Sequence, residues 1–180
     1  SAETTMRLYS GRFKIMASET IKTLLDSELI EIQSALQEEA ELDVVGVLRE
    51  YRRMDRELTQ RARDMVGSDG RAAESKMKRR LARDKNFKLG EDGLGYLVNQ
   101  TIQMFDFSGN IEEIFGTDLE LRAKITPVFK KYTASQDDEL DREVRSKIKN
   151  LQEGSSAWDI EYERVMERAR LRRGLEKDEG

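Results

Sequence analysis

Eight cations crowd one short stretch of the chain: Arg71, Lys76, Lys78, Arg79, Arg80, Arg83, Lys85 and Lys88, against two acids, Glu74 and Asp84, a local charge of +6. Such a surface can neutralise phosphates along a nucleic-acid backbone, and Phe87 beside it could stack on a base. The simpler reading is a solvated helix face with Phe87 in the core. A second cationic group, Arg164, Arg168, Arg170, Arg172 and Arg173, lies near the end of the chain. Asp137, Asp138, Glu139, Asp141 and Glu143 form the opposite kind of cluster, able in principle to recruit a hard cation through oxygen. Their spacing lacks the glycine and terminal glutamate of an EF-hand loop, so a helix start or solvated surface is the expectation. Trp158 and Tyr162, four residues apart, are either a partner anchor or the core face of a helix, and the amphipathic spacing favours core. Met104, Phe105 and Phe107 precede Ser108-Gly109-Asn110 and are expected to be buried at a helix end.

Other chemistries are removed by composition. The 180 residues include no Cys and no His. Thiolate nucleophiles, disulfides, cysteine-ligated metals, the commonest metal ligand and the usual general base near neutral pH all go with them. No phosphate-cradling Gly-x-x-x-x-Gly-Lys occurs, and Gly90, Gly93 and Gly95 lack the preceding strand a nucleotide loop requires. No catalytic residue, metal ligand or cofactor is therefore expected. With no long apolar run and no signal-peptide pattern, a cytoplasmic location away from membranes is expected. Charged residues make up 38% of the chain, yet the net charge is only −4 and the signs are interspersed. Periodicity must then decide between order and disorder.

The periodicity is helical. Phe13, Ala17, Ile21 and Leu24 predict a helix over about 11 to 26, and Val44, Val47, Leu48, Tyr51, Met54, Leu58, Ala62 and Met65 a longer one ending at Gly67-Ser68-Asp69-Gly70. Ala73, Met77 and Leu81 give a narrower stripe within the basic segment. Leu94, Leu97, Val98, Ile102 and Phe105 then predict another helix. Ile125, Val128, Phe129 and Tyr132 open the next, with Pro127 near its start. In the last helix Ser156 and Asp159 read as a capping box, Trp158, Tyr162, Val165 and Ala169 as the apolar stripe, and Gly174 as the stop.

Sliding the chain on itself by 81 residues aligns 7–51 with 88–132 without a gap. Thr20-Ile21 falls on Thr101-Ile102, Ile30-Glu31 on Ile111-Glu112, Val47 on Val128 and Tyr51 on Tyr132. One inserted residue then brings Leu58 and Ala62 onto Leu140 and Val144. Identity is thin but the apolar register persists, as a duplicated supersecondary unit requires.

The stretch from Leu151 through Gly154-Ser155-Ser156-Ala157-Trp158-Asp159 to Tyr162, closing at Arg172-Arg173-Gly174, resembles the end of the bacterial domain-of-unknown-function family 507. Met6-Arg7-Leu8 is similar to that family's start, and Asp138-Glu139-Leu140-Asp141 and Lys147 to Leu151 to its middle. The resemblance implies a helical fold and a bacterial source. It implies no activity. The first half has no counterpart of Trp158; the basic segment stands in its place.

The expected fold is all-α: two pseudo-repeated units, each a shorter helix plus a long one, with a basic linking helix and a C-terminal closing helix. Residues 1–5 read as a cloning scar or frayed tail, 6–70 as the first unit, 71–90 as the linking helix, 91–174 as the second unit with the closing helix, and 175–180 as a tail. Tyr51, Tyr132, Trp158 and Tyr162 are the expected core anchors. Two functions stay open. One is a non-catalytic interaction or scaffold module whose partner is another protein. The other is RNA binding through 71–88 and the Arg-rich last helix, with Arg79, Arg80, Arg83, Arg168, Arg172 and Arg173 as contacts. Oligomeric state is left open.

Overall fold

A computed structural model describes residues 6–178. After a 3-10 turn at Ser10–Arg12 come α1 (Phe13–Asp26), β1 (Ile30–Glu31), α2 (Gln37–Val66), α3 (Arg71–Asp84), α4 (Glu91–Phe107), β2 (Glu113–Ile114), α5 (Asp118–Tyr132), α6 (Asp138–Lys147) and α7 (Ser156–Asp178). The fold is all-α, with β1 and β2 pairing antiparallel as Ile30↔Ile114 and Glu31↔Glu113. Residues 1–5, read as a scar or tail, lie outside the described residues.

The 81-residue offset carries Gln37, the start of α2, onto Asp118, the start of α5, and after the inserted residue Val66, the end of α2, falls on Ile148, the residue that follows α6. The second long helix is thus present but broken, a correction to the expectation of one continuous helix per unit. The break, Thr133 to Asp137, is where the one extra residue must be absorbed. The Thr133 hydroxyl donates back to the Phe129 carbonyl at 2.7 Å, Ala134 is extended, and a 3-10 turn at Ser135–Asp137 restarts the chain. The N-terminal segment occupies the gap: Arg7 N–H donates to the Thr133 carbonyl at 2.9 Å, and the Tyr9 hydroxyl lies 2.6 Å from Asp138 Oδ1 and 2.9 Å from the Ala134 carbonyl.

The halves interlock. α1 packs on α2 and on α5, while α4 packs on α5 and on α2, so each short helix touches both long ones. One apolar core runs from Phe13 to Tyr132 through both halves. Buried threonines at equivalent positions repeat one solution, Thr20 donating to the Met16 carbonyl at 2.7 Å and Thr101 to Leu97 at 2.9 Å. A hydroxyl on an apolar helix face is satisfied by its own preceding turn. A second, smaller core joins α6 to α7 through Leu140, Val144, Ile148, Trp158, Tyr162, Met166 and Ala169.

Several helix ends differ from the sequence reading. Pro127 is the tenth residue of α5, which starts at a Thr117/Glu120 capping box. The amide it lacks would have met the carbonyl of Ala123, an exposed residue where water can substitute. The hydroxyl of Ser155, not Ser156, caps α7 by accepting from Trp158 N–H at 3.2 Å. The helix also passes through Gly174 to Asp178, so 175–178 of the expected tail continue it; 179 and 180 lie outside the described residues. In the α2–α3 turn Gly67 and Gly70 both have positive φ, which is why glycine stands there.

Candidate functional site

The four tyrosine and tryptophan residues singled out from spacing are all buried. Tyr51 donates its hydroxyl to the Lys88 carbonyl at 2.7 Å, and burial pushes that phenol up. Its ring lies 4.6 Å from Phe87, which in turn meets Tyr96 edge-on at 5.3 Å. Phe87 is therefore spent in packing and cannot stack on a base. Trp158 and Tyr162 pack at 5.1 Å between centroids in the α6–α7 core, where burial and the hydrogen bond to Asp141 push the Tyr162 phenol up. The sequence reading missed what joins this core to the rest. The Tyr162 ring lies flat on Gly11, and Arg12, 4% exposed, sits 3.8 Å from Glu163 and 5.0 Å from the Tyr132 ring centroid.

The arginines divide. On α7, Arg170 pairs with Asp137 at 2.9 Å, Arg172 with Glu143, and Arg173 with Glu139 at 3.8 Å and Glu143 at 3.6 Å, while Arg164 pairs with Glu161. The acidic cluster of α6 is thus the counter-charge of α7. Arg168 is exposed with no ion pair among the described residues. On α3, Lys78 and Lys85 reach back to Asp55 at 2.7 Å and Glu57 at 3.7 Å on α2. Arg79, Arg80 and Arg83 are exposed and have no carboxylate partner among the described residues.

An apolar concavity lies elsewhere, between α2 and α4. A groove of about 550 Å³ has Val47, Tyr51, Met54, Phe87, Tyr96 and Met104 as its apolar lining, and Asp43, Glu50, Gln100 and Gln103 on its rim. Asp43 is held in place by Ser108 at 2.5 Å and Asn110 at 2.8 Å. At one end stands Phe107, 89% exposed, which corrects the expectation that it is buried. The reason is angular: Phe107 lies two residues past Phe105, about 200° round the helix, on the stripe of Tyr96, Gln100, Gln103 and Met104. That second stripe was readable in the sequence. Gly46 opens the α2 side, with no atom within 4 Å of where a Cβ would sit.

The duplication supplies an internal comparison. At the equivalent place between α5 and α1, Lys131 replaces Glu50 and Glu19 replaces Gln100. The Lys131 ammonium lies 3.1 Å from Glu19 and 5.1 Å from the Tyr132 ring centroid, capping the tyrosine that corresponds to Tyr51. Although partial burial opposes its ionisation, Glu19 is held below the usual carboxylate range by hydrogen bonding to Tyr132 and Lys131 and by the Lys131 charge. Where Asp26 stands in the first unit, Phe107 stands in the second. An ion pair thus crosses the position in one unit, where the other has Glu50 and Gln100 on the rim of the groove.

No group of three or more acidic side chains suited to a metal ion occurs among the described residues, and none of the described helices is long and apolar enough to cross a membrane. No curated protein matches the chain. Residues 6–175 match the model of a family described as protein of unknown function (DUF507), and the chain belongs to that family.

Proposed function

We propose that the protein is a non-catalytic interaction module that receives an amphipathic helix of another protein in the α2–α4 groove. The observation that carries this reading is the open, aromatic-lined groove with Phe107 exposed at its end, where the equivalent position of the other unit carries the Lys131–Glu19 ion pair. Apolar side chains rimmed by polar ones are the usual form of a helix-accepting groove, and Met54 and Met104 add adaptable surface. Asp43 and Glu50 on the rim favour lysine or arginine flanking the partner's apolar face. Nucleic-acid binding through α3 and α7 has less support, because most of the α7 arginines already have carboxylate partners.

The experiment is capture from the native host with tagged wild-type protein, Phe107→Ser and Gly46→Trp, with and without nuclease. Both substitutions lie on exposed positions, so the fold is kept. A partner indifferent to nuclease and lost with both variants supports the proposal. One retained by both variants defeats the groove.

A further inference from the structure

Beside the buried Val45, the flank of α2 carries a row of arginines. Arg49, Arg52, Arg53 and Arg56 follow i, i+3, i+4, i+7 spacing and so share one face of the helix. They line a hollow of about 420 Å³ together with Ser10 and Glu153. Arg52 and Arg56 also line a neighbouring hollow of about 320 Å³, with Arg7 and Lys78. The shared pair makes one continuous basic surface running from α2 toward α3 and the N-terminal segment.

The chain already seats an anion of its own here. Glu153, on the α6–α7 loop, accepts from Arg52 at 3.1 Å, Arg145 at 2.9 Å and the Ser10 hydroxyl at 2.7 Å. Asp55 is engaged by Lys78 and both Glu50 and Glu57 by Arg53, while Asp159 at the start of α7 lies within reach of the Arg49 charge. Arg49 and Arg56 remain exposed, without an ion pair among the described residues. Seven residues of helix separate them by about 10 Å, the length of roughly three charges along one strand of a duplex.

We propose that this α2 arginine face binds the phosphate backbone of a nucleic-acid duplex. Two connected hollows suit an extended polyanion better than a compact one. The aromatic rings that border them, Phe13 and Tyr51, are buried, leaving no exposed surface for base stacking, so the contact is with backbone and indifferent to sequence. Guanidinium groups match phosphate oxygens, and at Glu153 two of them, from Arg52 and Arg145, already hold one oxygen each of an internal carboxylate.

The test is fluorescence anisotropy with labelled duplexes of DNA and of RNA, about 20 base pairs long, at about 50 and 200 mM salt. Wild type binds at low salt and loses affinity steeply at high salt. Arg49→Ala/Arg56→Ala binds about tenfold or more weakly and lowers the salt slope by up to about 2, from about 0.9 per lost phosphate contact. Arg79→Ala/Arg83→Ala on α3 changes binding less. Trp158 fluorescence verifies that each variant is folded. The proposal is overturned if neither duplex binds at low salt, or if the α2 double variant binds as wild type does. It is also overturned if anisotropy falls only with the α3 variant, or if anionic lipid vesicles bind through Arg49 and Arg56 while neither duplex does.

Discussion

Gly11→Ala should loosen the last helix from the body of the protein. A Cβ at residue 11 would stand 2.3 to 2.4 Å from three ring atoms of Tyr162. Carbon atoms pack at about 3.5 to 4.0 Å, so ring and backbone must separate by more than about 1 Å. The ring has little room to retreat: it is fully buried, packs on Trp158 at 5.1 Å, and is tethered through its hydroxyl to Asp141. Overpacking of this kind costs about 1 to 3 kcal/mol, or about 2 to 12 °C of melting midpoint for a chain of this size. Trp158 is the only tryptophan. Its emission therefore reports the α6–α7 core directly and should shift red at a lower temperature in Gly11→Ala than in wild type. Gly11→Ala combined with Tyr162→Leu should lose less than the sum of the two single changes, because the smaller side chain relieves the clash. An unchanged midpoint in Gly11→Ala, or strict additivity in the pair, would refute the idea that α7 docks through this contact.

Trp158→Ala should destabilise by about 3 to 5 kcal/mol, read from the helical circular dichroism signal during unfolding; a change too small to resolve would contradict its place in the core. Gly46→Ala should stabilise by about 1 kcal/mol, since the position is helical and its Cβ meets nothing, and a lowered midpoint would show that the groove wall is tighter than described. Burial works against ionisation of Glu153, but hydrogen bonds from Ser10 and Arg52 and the charge of Arg145 outweigh it and hold the carboxyl below its usual range. The folded state then binds fewer protons than the unfolded one, so this contribution is present above the usual glutamate pKa and lost as pH falls through the lowered folded value. The midpoint difference between wild type and Glu153→Gln should therefore shrink between about pH 7 and about pH 3, and a constant difference would remove Glu153 from the network.

Most of the helical frame was legible because its apolar residues repeat at the helical period, and α1, the C-terminal part of α2 and α4 carry that pattern cleanly. The repeating apolar register was legible for the same reason: the offset that aligns Tyr51 with Tyr132 also aligns the starts of α2 and α5. What escaped was set by polar residues or by contacts distant in sequence. The opening turns of α5 contain one buried apolar side chain, Leu121, so the helix could be found only from the Thr117/Glu120 cap, and Pro127 was placed too near the start. The acidic run on α6 and the arginines on α7 each read as a possible ligand surface, because nothing local says that they face one another. The neighbours of Phe107 suggest core, whereas its own angle on the helix puts it on the exposed stripe. The arginines of α2 give no local signal, because their spacing is that of any solvated flank beside an apolar stripe.

The groove is tested most directly by placing a photo-crosslinking residue at Gln103, on its rim, and separately at Lys22, the equivalent position on α1, then irradiating both proteins in the native host. The proposal predicts one discrete adduct from position 103, abolished by Gly46→Trp in the same chain, and none of that mass from position 22. The same adduct from both positions, or an adduct at 103 that survives Gly46→Trp, would contradict it.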